Sequence, residues 1–323
     1  MRRVSELLGL LIVAGLGGLP GPGKAEQSEH PPSPSRADSA ASEREIEGPS
    51  VRARVDVRDG DDFLDELDGR NPFLRAIRRG DLDQARALLD GDPEVLGASG
   101  HMGRTALHVA VETGSLDAVR FLIGAGADVN GERGRGDTPL FWAPDRTIAA
   151  TLLAAGADLH ATDFAQREPI HWAAQFGRAD VIQLLIEQGA DVNLRDGSQM
   201  TPLHWAVRDI VDRRPLACVK VLLAAGADPT LRARAPLQGT LLRVEGVQAV
   251  HMIARLPNMD QRLLNGELRY APEVPATVLS ILELLLEAGV DPKSETAAGE
   301  SAYSMSQGET RALIEGYLSR SPR

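Results

Sequence analysis

The chain of 323 residues contains a single cysteine, Cys218, and only 4% aromatic residues. One cysteine excludes an intrachain disulfide and a multi-cysteine zinc site. With so few rings, the core must be built mainly from Leu, Ala, Ile and Val. Basic excess is missing too. The formal charge is −11, whereas a general nucleic-acid binder needs a basic surface to displace counterions from phosphate. The N-terminal apolar run, Leu7 to Leu19, covers 13 residues and falls short of the ~20 that cross a bilayer as a helix. Catalytic signatures are also absent: no G-x-S-x-G elbow, no H-E-x-x-H and no phosphate-binding glycine loop occurs. No catalytic, cofactor-binding or metal-binding residue is therefore expected.

What is present begins at the N-terminus. Arg2 and Arg3 precede the apolar run, and Gly23-Lys24-Ala25 follows it in a small-x-small pattern. This order predicts a secretory signal peptide over residues 1–25, cut after Ala25. Export to the periplasm or the medium follows, with no stable membrane insertion after cleavage. Glu6 departs from the pattern, and an uncleaved N-terminal anchor is the alternative. Residues 26–60 include SEHPPSPSRADSAASEREIEGPS, with almost no apolar content. Such a segment cannot offset its ordering entropy by burial and reads as a disordered linker.

Beyond the linker the chain repeats itself. Units start at Asn71-Pro72-Phe73-Leu74, Thr105-Ala106-Leu107-His108, Thr138-Pro139-Leu140-Phe141, Glu168-Pro169-Ile170-His171 and Thr201-Pro202-Leu203-His204, with offsets of 34, 33, 30 and 33. A Gly-x-Asp landmark recurs at Gly126, Gly156, Gly189, Gly226 and Gly289. Twelve positions after Gly289, Ser301 opens a degenerate last unit. Thr caps a helix by accepting an orphan backbone N–H, and Pro at the first helical position loses nothing by lacking its own. The unit from Thr138 is short, spanning 18 residues to Gly156 against 21 from Thr105 to Gly126 and from Glu168 to Gly189, and the residues missing are placed between its helices near Pro144-Asp145-Arg146. The unit from Thr201 is long, with its extra residues in DIVDRRP. The sixth unit is expected to start at 235–240 and to carry an insert at about 252–276.

A period near 33 with T-P-L-H at 201 and close variants of it at the other starts resembles the ankyrin-repeat family, whose signature is T-P-L-H-x-A. The resemblance covers roughly residues 71–323. It implies an all-α solenoid of stacked helix-turn-helix units with short β-hairpin-like fingers, occupying a domain over 61–323. It further implies that His108, His171 and His204 bond backbone between neighbouring units. One repeat apart, these rings stand ~10 Å from each other, too far to share a metal ion. Trp142, Trp172 and Trp205 share a position that faces the interior in this family, and are expected to form a buried ladder.

Functional residues are expected where the copies differ. Arg133, Arg135, Arg167, Arg195, Arg232 and Arg234 lie in the inter-repeat fingers together with Phe164, and Gln175 and Arg208 point to the same side from the first helices. Equivalent loops of a solenoid project together and build one surface, and exposed Arg and aromatic residues suit hot spots. Charge reversal at Arg133, Arg167 and Arg195 is expected to weaken binding without loss of helicity. Asn265, Arg269 and Tyr270 of the insert offer a second contact surface. The reading is a monomeric, non-catalytic, exported protein that binds another protein as scaffold, stabiliser or inhibitor. The alternatives are an enzyme with its site on the insert, or a secreted effector acting on a host protein.

Overall fold

The computed structural model describes residues 71–208, 215–236, 243–254, 262–264, 267–269 and 276–320. The expected signal peptide and linker, residues 209–214 and most of the insert lie outside them.

Each regular unit is a helical hairpin whose ends are set by short-range chemistry. In the second unit the Thr105 hydroxyl accepts the His108 N–H at the start of α3 (Ala106–Thr113). Gly114, at φ 72°, ends that helix with its N–H turned back onto Ala110 and Val111, a left-handed stop that a side chain would resist. Ser115 then caps α4 (Leu116–Gly124). The first unit is built likewise from α1 (Pro72–Arg79), capped by Asn71, and α2 (Leu82–Gly91). The fourth uses α6 (Pro169–Gln175) and α7 (Ala179–Glu187), and the fifth α8 (Pro202–Arg208) and α9 (Pro215–Ala224).

The third unit is shortened differently from expectation. The residues are lost from the first helix itself, which contracts to a 3-10 turn over Pro139–Trp142, and not from the connection after it. Asp145 then caps α5 (Arg146–Ala154) through the Thr147 and Ile148 N–H groups at 2.8 and 2.9 Å. Arg178 reaches across from the next unit and donates to the Ala143 carbonyl at 2.8 Å, satisfying an acceptor that a full helix would have used internally.

The sixth unit corrects the expected start at 235–240. β1 (Ala233–Pro236) and β2 (Arg243–Val247) form an antiparallel hairpin that lengthens the finger. The unit's first helix, α10 (Ala249–Ala254), follows Gln248. Gln248 N–H donates to His251 Nδ1 at 3.0 Å, as Thr201 N–H does to His204 Nδ1 at 3.2 Å. Residues 252–254 therefore belong to the helix, and the insert is confined to 255–275, ahead of α11 (Ala276–Glu287). Within it β3 (Arg262–Leu264) pairs antiparallel with β4 (Glu267–Arg269). The last unit comprises α12 (Ala302–Met305) and α13 (Gly308–Arg320), with Ser301 and Ser304 exchanging cap bonds at 2.8 and 3.0 Å.

First helices pack on first helices from α1 through the 3-10 turn to α12, and second helices from α4 to α13 form a parallel layer. The second layer repeats one buried pattern: Ala118-Val119-Leu122, Ile148-Ala149-Leu152, Val181-Ile182-Leu185, Cys218-Val219-Leu222 and Ile281-Leu282-Leu285. Positions i, i+1 and i+4 share one helix face, so each helix covers its neighbour. Burial pushes the Cys218 thiol up to about 12, leaving it an inert core residue.

Candidate functional site

The fingers share one backbone turn. Gly100, Arg133, Asp163, Asp196 and Thr296 donate their N–H groups to the carbonyls of Arg104, Asp137, Arg167, Met200 and Glu300 at 2.7–3.1 Å. Adjacent tips are joined as well. The N–H groups of Gly134, Phe164, Gly197, Arg234 and Ala297 donate to Met102, Arg135, Ala165, Ser198 and Glu245 carbonyls at 2.6–2.9 Å. Consecutive fingers are thus laced into one ribbon by main-chain bonds, with the β1–β2 hairpin spliced into it.

Histidines tie this ribbon to the helices. In His108, His204 and His251 the Nδ1 atom accepts the N–H of the residue three positions earlier. The bonding pattern therefore assigns the proton to Nε2, which donates to Asp137 O at 3.1 Å, Val247 O at 3.1 Å and Ser294 O at 2.8 Å. His171 is bound in the same way between Glu168 N–H and Leu194 O. Burial is the main cause that depresses all four from 6.5, to about 4 for His108 and His204. The third unit has Phe141 at this position, and its Thr138 hydroxyl is buried without a hydrogen-bond partner. In the second and fifth units the matching hydroxyls of Thr105 and Thr201 meet the ring nitrogen at 2.9 Å.

Beneath the tips runs a column of rings and guanidinium groups. Trp142 and Trp172 pack against each other with centroids 4.8 Å apart and their planes tilted by 59°. Arg133 lies over Trp142 at 4.0 Å, Arg167 lies over Trp172 at 4.4 Å and Trp205 at 5.1 Å, and Arg208 lies over Trp205 at 4.7 Å. The Trp ladder is therefore buried but interleaved, with Arg167 between its second and third rings. Each indole N–H donates to a carboxylate: Trp142 to Asp137 at 2.5 Å, Trp172 to Asp163 at 3.0 Å and Trp205 to Asp196 at 2.9 Å. Two of these acids, Asp137 and Asp163, also hold arginines. Arg133 bonds Asp137 at 2.5 Å and Glu112 at 2.7 Å, while Arg167 bonds Asp163 at 2.7 Å. The chain order is reversed between these fingers, Arg before Asp in one and Asp before Arg in the other, yet the acid, indole and guanidinium meet in the same way.

This geometry divides the sequence candidates. The side chains of Arg133 and Arg167 are only 11% and 12% exposed, and Gln175 is buried beside Arg167, whose Nη1 reaches its Oε1 at 3.3 Å. Arg208 is half-buried. These four belong to the column, so reversing charge at Arg133 and Arg167 would break buried ion pairs and lower stability, and would not report on binding alone. Arg135, Phe164, Arg195 and Arg234 lie at or beside the tips. Arg195 reaches Gln199 Oε1 at 3.3 Å, and Arg234 faces Glu245 at 3.9 Å. Arg232 crosses to the last finger, bonding Glu295 O and Ser294 Oγ, each at 2.7 Å. Asn265 and Tyr270 lie outside the described residues.

Sequence reasoning missed His251, whose neighbours read Gln-Ala-Val in place of Thr-Pro-Leu. It also missed a backbone feature. Gln166 and Gln199 hold φ values of 57° and 59°, where other fingers place Gly103, Gly136, Gly246 and Gly299. Each costs about 1–2 kcal/mol relative to a relaxed residue. Aligning the units shows glycine giving way to glutamine at these two positions.

A family model for ankyrin repeats, in three copies, matches residues 50–133, 73–163 and 140–233. The chain belongs to the ankyrin-repeat family. A putative ankyrin repeat protein of Rickettsia bellii is 33% identical over 129 residues, which are 38% of this chain and 71% of that protein. Protein phosphatase 1 regulatory subunit 27 of Homo sapiens is 38% identical over 96 residues, covering 28% of this chain and 61% of that one. A probable E3 ubiquitin-protein ligase of Oryza sativa matches at 33% over 119 residues, 35% of this chain and only 24% of the ligase. Two solved structures share the fold. The ankyrin repeat domain of human ASB11 gives a TM-score of 0.58 at 22% identity, with 78% of this chain and 98% of that one covered. That of Bcl-3, a member of the IkappaB protein family, gives 0.55 at 23%, with 78% and 99% covered. Ankyrin repeats mediate protein–protein interaction and are generally non-catalytic.

Proposed function

We propose that this ankyrin-repeat protein is exported and acts without catalysis, binding a partner protein through its fingers and the adjoining concave face as a scaffold, stabiliser or inhibitor. One observation carries the reading. Phe164 stands 80% exposed on a finger whose backbone is bonded to both neighbours. A rigid, exposed aromatic on a laced ribbon binds with little ordering cost. The phosphatase regulatory subunit and Bcl-3 favour a partner-directed role by analogy. The N-terminal pattern supports export.

The test has two parts. Fractionation of the native host should find the chain outside the cytoplasm, beginning near Glu26; full-length protein in the cytosol would overturn export. Affinity capture from envelope extract with residues 26–323 should retain a specific protein. The control is a chain with Arg135, Arg195 and Arg234 changed to Glu, chosen because Arg133 and Arg167 hold the column. Absence of any specific capture would overturn the binding role.

A further inference from the structure

We propose that the tips of the first four described fingers form a docking surface for an acidic segment of a partner protein that carries an apolar side chain. The inference rests on the protein-binding reading above and gives the partner its chemistry. Among the described residues, the exposed large hydrophobic side chains are Met102, at 47%, and Phe164, at 80%. Both lie at finger tips. The non-glycine residues with positive φ among the described residues are Met102, Gln166 and Gln199, and all three are at tips as well. Exposure of apolar surface and backbone strain, two independent departures from what folding favours, therefore coincide on one ribbon.

Neither departure is accounted for among the described residues. Gln166 and Gln199 are exposed, and Gln199 Oε1 accepts only a long bond from Arg195 Nη1, at 3.3 Å, among the described residues. Glycine fills the matching position in four other fingers, so the turn does not need a side chain there. Strain held at exposed positions is characteristic of contact sites.

Charge selects the occupant. Asp163 and Asp196 are 4% and 2% exposed. Their oxygens point inward to turn N–H groups and to the Trp172 and Trp205 indoles. Arg195 is exposed and Arg135 is half-buried beside Phe164, whose N–H its carbonyl holds at 2.9 Å. Glu132 is the exposed acid beside Arg135, and Asp128, Asp158 and Asp191 are exposed where the chain enters the fingers, ahead of the tips. A partner approaching the tips of a chain with formal charge −11 thus meets guanidinium groups and apolar surface, while two finger carboxylates are turned away. The Phe164 ring is seated over Gly136, where a Cβ would come within 3.1 Å of it. Its position is fixed before a partner arrives, and Arg with a seated aromatic is the pairing that anchors an acidic, apolar-tipped segment.

The probes are two random ten-residue peptide libraries displayed to residues 26–323, each peptide carrying one aromatic or aliphatic residue in an otherwise acidic or otherwise basic sequence. The wild-type chain should enrich acidic peptides at least tenfold over basic ones. F164A should abolish the enrichment, and R135E/R195E should reverse it toward basic peptides. Q166G/Q199G should reduce enrichment several-fold while Tm stays unchanged or rises, an outcome a folding role for these glutamines does not give. Equal enrichment of the two libraries by wild type, or enrichment untouched by F164A and R135E/R195E, overturns the proposal. If envelope capture succeeds while the tip variants behave as wild type, the protein-binding role stands and the tip surface is wrong. If capture itself fails, the broader role has fallen.

Discussion

The neutrality of the finger-tying histidines has a direct consequence for acid stability. Nδ1 accepts a backbone N–H in each ring, so a proton there would set two donors against each other. The unfolded chain takes up these protons near 6.5, whereas the folded chain refuses them until about 4 at His108 and His204. The folded pKa is the lower one, so the stabilisation is complete above 6.5 and is lost as pH falls through this window toward 4. Each of these two rings contributes on the order of 3 kcal/mol of that loss. Urea unfolding at a series of pH values should show stability flat above pH 7 and declining below 6.5. H204A should be less stable at pH 7.5 by about 2–4 kcal/mol and show a shallower decline; an unchanged slope would remove His204 from the titration. At this scale the sequence was partly legible. His108, His171 and His204 stood out because Thr or Glu, Pro or Ala, and an aliphatic residue precede them. His251 did not, because Gln248-Ala249-Val250 carries the same bonds without the same letters. The Trp positions could be read from the period. Their acid partners could not, because Asp137 sits five residues before Trp142 while Asp163 and Asp196 sit nine before theirs.

Among the elements, the third unit is the weak step in the stack. Its first helix is a four-residue 3-10 turn, a form with poorer hydrogen-bond geometry. Its position for a tying histidine is taken by Phe141. Compensation comes from the next unit, where Arg178 holds Ala143 O and lies over Phe176 at 5.0 Å. R178A should cost about 1–3 kcal/mol, and hydrogen exchange should accelerate first across residues 139–146. Uniform acceleration over all units would mean that Arg178 does not act locally. The shortening itself was visible in the sequence as a spacing of 18 against 21. Its location was not, since spacing reports how many residues are lost and not which element gives them up. The sixth unit shows the same limit. From Gln248 to Gly289 is 41 positions, and the sequence could not divide the excess between a lengthened finger ahead of the helices and an insert between them.

For the whole molecule, nearest-neighbour packing governs what can be removed. α10 and α11 pack on one another directly, so the insert is not their only link. Replacing residues 255–275 with the Phe176-Gly177-Arg178 connection of the fourth unit should preserve helicity and change unfolding free energy by about 1 kcal/mol or less. Loss of cooperative unfolding would show that the insert clamps the two helices. The reversed Arg–Asp order in adjacent fingers has a further consequence for how such a chain can be rearranged. Glu112 joins Arg104 to Arg133 across two units, and Arg167 serves rings of two units at once. Duplicating or shuffling a single repeat would bring like charges face to face or leave an indole uncovered. The units look interchangeable in their helices, but each one is fitted to the neighbour it already has.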